Sequence, residues 1–327
     1  AMQYALAPLE GITTYIYRNA HARYFGGIDS YYTPFLASKK MNTKEIREIL
    51  PENNEVIHLI PQILTNKAED FLAIAGRIAD YGYQTVNLNL GCPSGTVTAK
   101  KRGAGFLSVP EQLDSFLYEI YEKCPIQISI KTRLGVTDLA EWEALLSIYA
   151  KYPVSELIIH TRLLQEFYQG ATHPEAYCEA ARYLSSTGIP LCYNGDITSP
   201  AGLAALSQEI ASQGASLDAV MIGRGIIRNP GLISLLQDVA PSSTQPVTRE
   251  ITKERLKDFH NEILENYRQI MSGDLPVLFK MKDLWTYMSR SFTSPDHYLK
   301  KIRKANRISE YQIAVDALFR EQSLTFS

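Results

Sequence analysis

Eight short apolar runs recur between Met2 and Gly223 at a regular interval: Met2–Leu6, Ser30–Pro34, Val56–Ile63, Thr85–Leu90, Ile126–Lys131, Glu156–His160, Pro190–Asn194 and Ala219–Gly223. Helix-like segments lie between them, among them Lys67–Tyr81, Pro110–Lys123, Leu139–Tyr152, Pro174–Ser185 and Pro200–Gln213. The runs are near-continuously apolar ("SELIIH", "DAVMIG"), as parallel strands covered by helices on the outside must be. Eight such units at roughly 31 residues each match a (β/α)8 barrel, the TIM-barrel architecture. An open doubly wound sheet is the competing architecture. It usually opens with a GxGxxG turn, and here the first strand is followed by "APLEGIT".

The pattern changes after about Val239. "APSSTQPVT" reads as a linker, and only helical periodicity follows it. Leu256, Phe259, Ile263, Tyr267 and Ile270 fall on one face, and Leu278, Met281, Trp285 and Met288 on another. Ser309 reads as the N-cap of a last helix carrying Ile313 and Leu318. The division expected is a barrel over 2–239, a linker over 240–248 and a small all-helical domain over 249–327.

Ala1 ahead of Met2 reads as an addition upstream of the natural start, and nothing after it resembles a signal peptide. No apolar run approaches the roughly 18 residues a membrane helix needs. The four cysteines (Cys92, Cys124, Cys178, Cys192) form no CxxC pair, which argues against a zinc or iron–sulfur site. The expectation is a reduced, cytoplasmic, monomeric enzyme that binds no metal and touches no membrane. Net charge is -2, which by itself excludes neither a nucleic acid nor a small substrate.

In a barrel of this kind the chemistry sits where strands end. The polar residues at those ends are Pro8-Leu9-Glu10, Gln62, Asn89 and Cys92, Lys131 and Arg133, His160 and Arg162, Asn194-Gly195-Asp196, and Gly223-Arg224. The loops after the seventh and eighth strands commonly hold a phosphate through backbone N–H groups, and "YNGDI" and "MIGRGIIRNP" suit that use. A phosphate site rimmed by Gln62, Lys131 and His160 suits a flavin mononucleotide (FMN). The glutamine can donate to and accept from an imide edge, and the lysine can place a cation by the ring. Cys92 opens the longest connection on that rim, Gly91–Val109, which is rich in glycine and carries Lys100, Lys101 and Arg102. Taken alone, Cys92 reads first as a buried inert thiol, and His160 as readily as a core histidine; the rim position of Cys92, and the pairing of His160 with Arg162 beside Lys131, favour function.

"NLNLGCPSGTV…GAGFL" resembles the signature of the tRNA-dihydrouridine synthase family. "APLEG", "IKTRLG", "IIHTRL", "YNGDI" and "MIGRG" follow in that family's order and spacing, so the resemblance covers about Met2 to Val239. It implies an FMN enzyme that reduces uridine in tRNA at the expense of NADPH or NADH. It also implies that Pro8, Leu9, Glu10, Gln62, Lys131, His160, Asn194, Gly195, Asp196, Gly223 and Arg224 bind FMN. Cys92 would be the proton donor to the uracil ring, and Asn89, Arg133 and Arg162 would meet the base. Lys300, Arg303, Lys304 and Arg307 in "YLKKIRKANR" fall at i, i+3, i+4 and i+7, one helical face, and with Lys100, Lys101 and Arg102 would meet tRNA phosphates. From Val247 onward there are 14 basic and 11 acidic residues, a net of +3 against -5 for the rest. Leu9, Asn87 and Gly95 stand where methionine, aspartate and lysine are common in the family. Three other readings use the same residues: a reductase of free pyrimidines, a non-redox aldolase or isomerase with Lys131 as a Schiff base, and a tRNA-binding relative without catalysis.

Overall fold

The computed structural model describes residues 1–242, 247 and 250–326. Its strands are β1 (Gln3–Leu6), β2 (Ser30–Tyr32), β3 (Leu59–Ile60), β4 (Gln62–Ile63), β5 (Thr85–Leu90), β6 (Gln127–Thr132), β7 (Leu157–His160), β8 (Leu191–Asn194) and β9 (Ala219–Ile222). Every pairing is parallel, in the order β3-β2-β1-β9-β8-β7-β6-β5-β4. The two ends of that order are consecutive in sequence. Only Pro61 separates β3 from β4, because a residue without an N–H interrupts the ladder. The sheet is therefore closed, and eight expected strands become a barrel whose third strand is split. That third run is shorter than Val56–Ile63, and Val56 is exposed.

Around the barrel lie α1 (Tyr15–Tyr24), α2 (Thr43–Ile49), α3 (Ala68–Asp80), α4 (Gly95–Thr98), α5 (Pro110–Lys123), α6 (Glu141–Tyr149), α7 (Pro174–Tyr183), α8 (Pro200–Ser212), α9 (Arg224–Arg228) and α10 (Leu232–Leu236). The connection that opens with Cys92 is not the open loop its composition suggests. It folds into α4 and a 3₁₀ turn over Gly103–Ser108, whose Gly103, Ala104, Gly105, Phe106 and Leu107 are buried. Inside the barrel, Ala5, Ala7, Tyr32, Ile60, Ile158, Cys192, Ala219 and Met221 pack on one another.

The tail holds α11 (Lys253–Ile270), α12 (Asp274–Met288), α13 (Asp296–Lys304) and α14 (Ile308–Glu321). The expected linker at 240–248 lies partly outside the described residues. Barrel and tail share one continuous apolar core. Phe259 of α11 packs edge-on against Tyr17 and Phe25 near α1, with ring centres 5.6 and 5.1 Å away, and Tyr267 bonds Thr14 at 2.7 Å. No helix among the described residues is long and apolar enough to cross a membrane.

Several tail expectations need correction. The last helix starts at Ile308, with Arg307 as its cap, so Ser309 is not the N-cap. Ile313 is exposed, because a residue five before Leu318 stands well round the helix from it; Ile308, Tyr311, Val315 and Leu318 form the buried face. Arg307 is not on the helix of Lys300, Arg303 and Lys304, since α13 ends at Lys304 and Ala305 is extended. Ile270, the last residue of α11, is exposed rather than packed.

Two buried histidines hold the architecture together as neutral rings. In the tail, the Trp285 indole N–H donates to the Tyr311 oxygen at 2.7 Å. The phenol hydrogen is left for Nε2 of His260 at 2.6 Å, and Nδ1 faces the Asn261 amide oxygen at 2.9 Å. In α1, His21 lies between the Tyr31 hydroxyl and the Pro230 carbonyl, both at 2.9 Å. Burial pushes both rings from 6.5 down to about 4. The unfolded chain therefore binds more protons than the folded one between pH 6.5 and 4. The stability is fully present above pH 6.5 and is lost as pH falls through that window, at up to about 1.4 kcal/mol per pH unit for each ring. His260→Gln is expected to flatten the slope of unfolding free energy against pH in this window, measured by urea unfolding; an unchanged slope would contradict a neutral His260.

Candidate active site

The barrel's period of two builds the site. Ala5, Ser129, Ile158, Cys192 and Met221 point inward, so the residues two further on, Ala7, Lys131, His160, Asn194 and Gly223, point inward at the top. All five line one cleft of about 300 Å³. Pro8, Leu9, Arg162, Gly195, Asp196 and Arg224 line it too, as the sequence suggested, and so does Tyr168, which the sequence reading missed.

The cleft is cationic. Lys131, Arg162, Arg224 and Arg228 line it against one carboxylate, Asp196. Asp196 accepts from Arg162 at 2.5 and 3.1 Å and from Arg224 at 3.2 Å, so it holds the two guanidiniums side by side. Arg162 also donates to Nε2 of His160 at 3.1 Å. That ring is therefore neutral, and burial, with Arg133, Lys131, Arg162 and Arg224 around it, keeps its pKa well below the ordinary value. Burial, then Arg133, pushes the Lys131 ammonium down to about 8.

Below the cleft runs a row of amides. Asn87 donates to Ser129 at 2.8 Å, Gln62 to Asn87 at 2.9 Å and Asn89 to Gln62 at 3.0 Å. The Asn89 oxygen then accepts the N–H groups of both Gly91 and Cys92 at 3.0 Å. Asn89 thus spends its oxygen on the Cys92 turn and keeps one amide hydrogen beyond these bonds. Gln62 is buried in the row and does not line the cleft. Glu10 stands elsewhere, in a separate hollow with Lys44, Glu48 and Lys280.

Cys92 is half-buried and does not line the cleft itself; it follows Gly91, whose Cβ position lies 3.9 Å from Nζ of Lys131. Arg133 clamps the two sides of this corner. It donates to Gly91 O at 2.8 Å, and to Leu163 O and Phe167 O at 3.0 and 2.6 Å. Tyr168 then lies between two guanidiniums, with Arg133 and Arg224 each 5.1 Å from its ring centre. The only sequence signal for it is an aromatic pair, Phe167-Tyr168, between a strand-end arginine and Gly170.

The residues fit a phosphorylated planar cofactor. Nε of Arg162 and Nη2 of Arg133 are buried without a hydrogen-bond partner among the described residues. The first N–H groups of α9, at Arg224 and Gly225, have no intrahelical acceptor. A Cβ at Gly225 would stand 2.6 Å from Ile197 O, so glycine is what lets α9 approach the turn after β8.

Gly103 carries a similar constraint for the thiol. Its φ is +54°, and a Cβ there would lie 2.8 Å from Cys92 O and 3.0 Å from Cys92 Cβ. Gly103→Ala is expected to destabilise the protein by about 1–2 kcal/mol or more and to displace Cys92. Gly95→Ala meets nothing within 4 Å and should be neutral or stabilising by up to about 1 kcal/mol. Urea midpoints measure both; equal values for the two variants would contradict this account.

The dihydrouridine synthase family model matches residues 5–323. A "Probable tRNA-dihydrouridine synthase" of Staphylococcus epidermidis (strain ATCC 12228 / FDA PCI 1200) is 29% identical over 235 residues, 69% of either chain. "Probable tRNA-dihydrouridine synthase 2" of Bacillus subtilis (strain 168) is 27% identical over 233 residues, 69% of this chain and 70% of that one. Among solved structures, morphinone reductase superposes with a TM-score of 0.51 at 14% identity, over 74% of this chain and 87% of the other, a likeness of fold. The chain belongs to the dihydrouridine synthase family of FMN-dependent oxidoreductases.

Proposed function

We propose that this protein reduces the C5–C6 bond of a uridine in tRNA, with NADPH or NADH as reductant and Cys92 as the proton donor. The observation that carries the reading is a half-buried thiol just past the end of β5, next to Gly91, whose Cβ position lies 3.9 Å from Nζ of the cleft's Lys131, with the thiol's own N–H held by Asn89. Saturating the bond needs a hydride at C6 and a proton at C5. FMN, when bound, supplies the hydride.

Pro8, Leu9, Lys131, His160, Asn194, Gly195, Gly223 and Arg224 would hold the cofactor. Asp196 would act through the arginines it pairs, and Gln62 through the one amide hydrogen and one lone pair that its row leaves free. Arg224 and the opening N–H groups of α9 suit a phosphate. Lys131 supplies a cation at the cleft wall. A thiol S–H is a proton source of the kind a general acid at C5 requires. Arg133 and Arg162, each with a buried N–H unpartnered among the described residues, would meet the base. The base must leave its stack to reach this depth. Lys100 and Lys101 are exposed just beyond Cys92, where phosphates would pass, with Arg102 beside them.

Cys92→Ala separates the two halves of such a reaction. Reduction of the flavin by NADPH should continue, while dihydrouridine formation falls by about 10²–10⁴-fold, the usual weight of a general acid. Stopped-flow absorbance reads the first half and nucleoside mass analysis the second. Full dihydrouridine formation would make Cys92 structural.

The tail gives the second test. Lys300, Arg303 and Lys304 are exposed on α13, while Leu299 and Ile302 are buried. Replacing the three cations with alanine should weaken tRNA binding and flatten log affinity against log salt, by roughly 0.7–0.9 for each phosphate left without its cation. An unchanged slope would remove α13 from the RNA-binding face.

A further inference from the structure

The tail buries most of its large apolar side chains, but Leu275 and Phe279 on α12 are 65% and 74% exposed. Four residues apart, they share one face of the helix. Their surroundings are well fixed. Lys282, three residues after Phe279, donates at 2.6 Å to the carbonyl of Ala305, just past the end of basic α13. Asp274, next to Leu275, accepts the N–H of Ile308 at 3.0 Å. On the other flank, Lys280 donates at 3.2 Å to the carbonyl of Gly11, in the turn after β1. A Cβ on Gly11 would stand 3.6 Å from the Asp283 carboxylate. The exposed pair therefore sits at the seam between the barrel's rim and the turn joining α13 to α14, which carries exposed Arg307.

The cationic side of this seam is the tail side, where Lys300, Lys301, Arg303, Lys304 and Arg307 lie; in the hollow on the barrel side, Lys44 and Lys280 are balanced by Glu10, Glu45 and Glu48. An aromatic ring along a cationic track is the arrangement that holds unpaired nucleic acid, because every base has a face to stack. A protein partner fits less well, because the exposed apolar surface on this helix is two side chains, Leu275 and Phe279, whereas stable protein interfaces bury about 1,200–2,000 Å².

We infer that Phe279, with Leu275 flanking it, is a stacking platform for one unpaired base of the RNA substrate, between the basic face of α13 and the barrel's rim. The inference rests on the tRNA reading above and adds a place where the strand is gripped by its bases rather than by its phosphates.

The test is the affinity of the full-length protein for an unmodified tRNA transcript, measured against salt. Phe279→Ala should weaken binding on the order of five- to a hundredfold, the usual loss when one stacking ring is removed. Phe279→Trp should keep the affinity, and Phe279→Leu, apolar but without a π-face, should behave like alanine. The salt slope should not change in any of them, because every cation that meets a phosphate is still in place. Bound-flavin absorbance and NADPH oxidation should match the unsubstituted protein. If that protein binds tRNA and Phe279→Ala binds equally well, the platform is wrong while the tRNA reading stands. If the unsubstituted protein does not bind tRNA, both fall. A Phe279→Ala variant that turns a dimer into a monomer, at unchanged tRNA affinity, would assign the face to a second copy and overturn the proposal.

Discussion

The site hangs on one side-chain oxygen. Oδ1 of Asn89 accepts two backbone N–H groups, those of Gly91 and Cys92, and so fixes where the strand stops and how the thiol leaves it. That bond pair dictates the polarity of everything beneath. Asn89 must turn its NH₂ toward Gln62, Gln62 its NH₂ toward Asn87, and Asn87 its NH₂ toward Ser129, which donates to Val86 O. Flipping any one amide would face donor to donor in a buried rung. Each stranded group there costs about 1–3 kcal/mol, so the row has one arrangement. Asn87 is compatible with this order because Ser129 can donate onward to the backbone.

A second constraint is charge. Several cations converge on the cleft, and Asp196 is the one acid among the lining residues. The barrel accepts the cost by tying the arginines to backbone carbonyls, to His160 and to the face of Tyr168. Lys131 is the exception, and burial brings its pKa down to about 8. A cleft arranged in this way is prepared for an anionic partner, and the neutral state of His160 follows from the same field.

Much of this was legible in the sequence, for a physical reason. A parallel barrel turns alternate residues inward, so a polar residue ending an apolar run must point at the cleft; Lys131, His160, Asn194 and Gly223 follow directly. What escaped depends on folding back. Tyr168 reaches the site only because Arg133 captures the carbonyls of Leu163 and Phe167, bridging segments 30 and 34 residues apart. Spacing does not show that the neighbours of Gln62 hold one of its amide hydrogens and one of its lone pairs, which leaves one of each for a cofactor. Glu10 follows Leu9 in sequence but faces the tail's Lys280 across another hollow. Composition alone made the Cys92 connection look like an open loop, whereas Gly103 and Gly105 are there to let it pack tightly. Arg307 left its helix because α13 ends at Lys304 and the next helix begins at Ile308, its N–H held by Asp274; no glycine or proline marks that break.

Barrel and tail share one core, so the cleft and the basic face of α13 keep a fixed relation, as a substrate larger than a nucleoside would require. The central claim is that the object reduced is a uridine within tRNA. Incubating unmodified tRNA with the flavin-loaded protein and NADPH, then mapping the RNA by mass at single-nucleotide level, tests it most directly. The account predicts a gain of two hydrogen atoms at a defined uridine and no turnover of free uracil or uridine. Reduction of free pyrimidine with tRNA left untouched would contradict it.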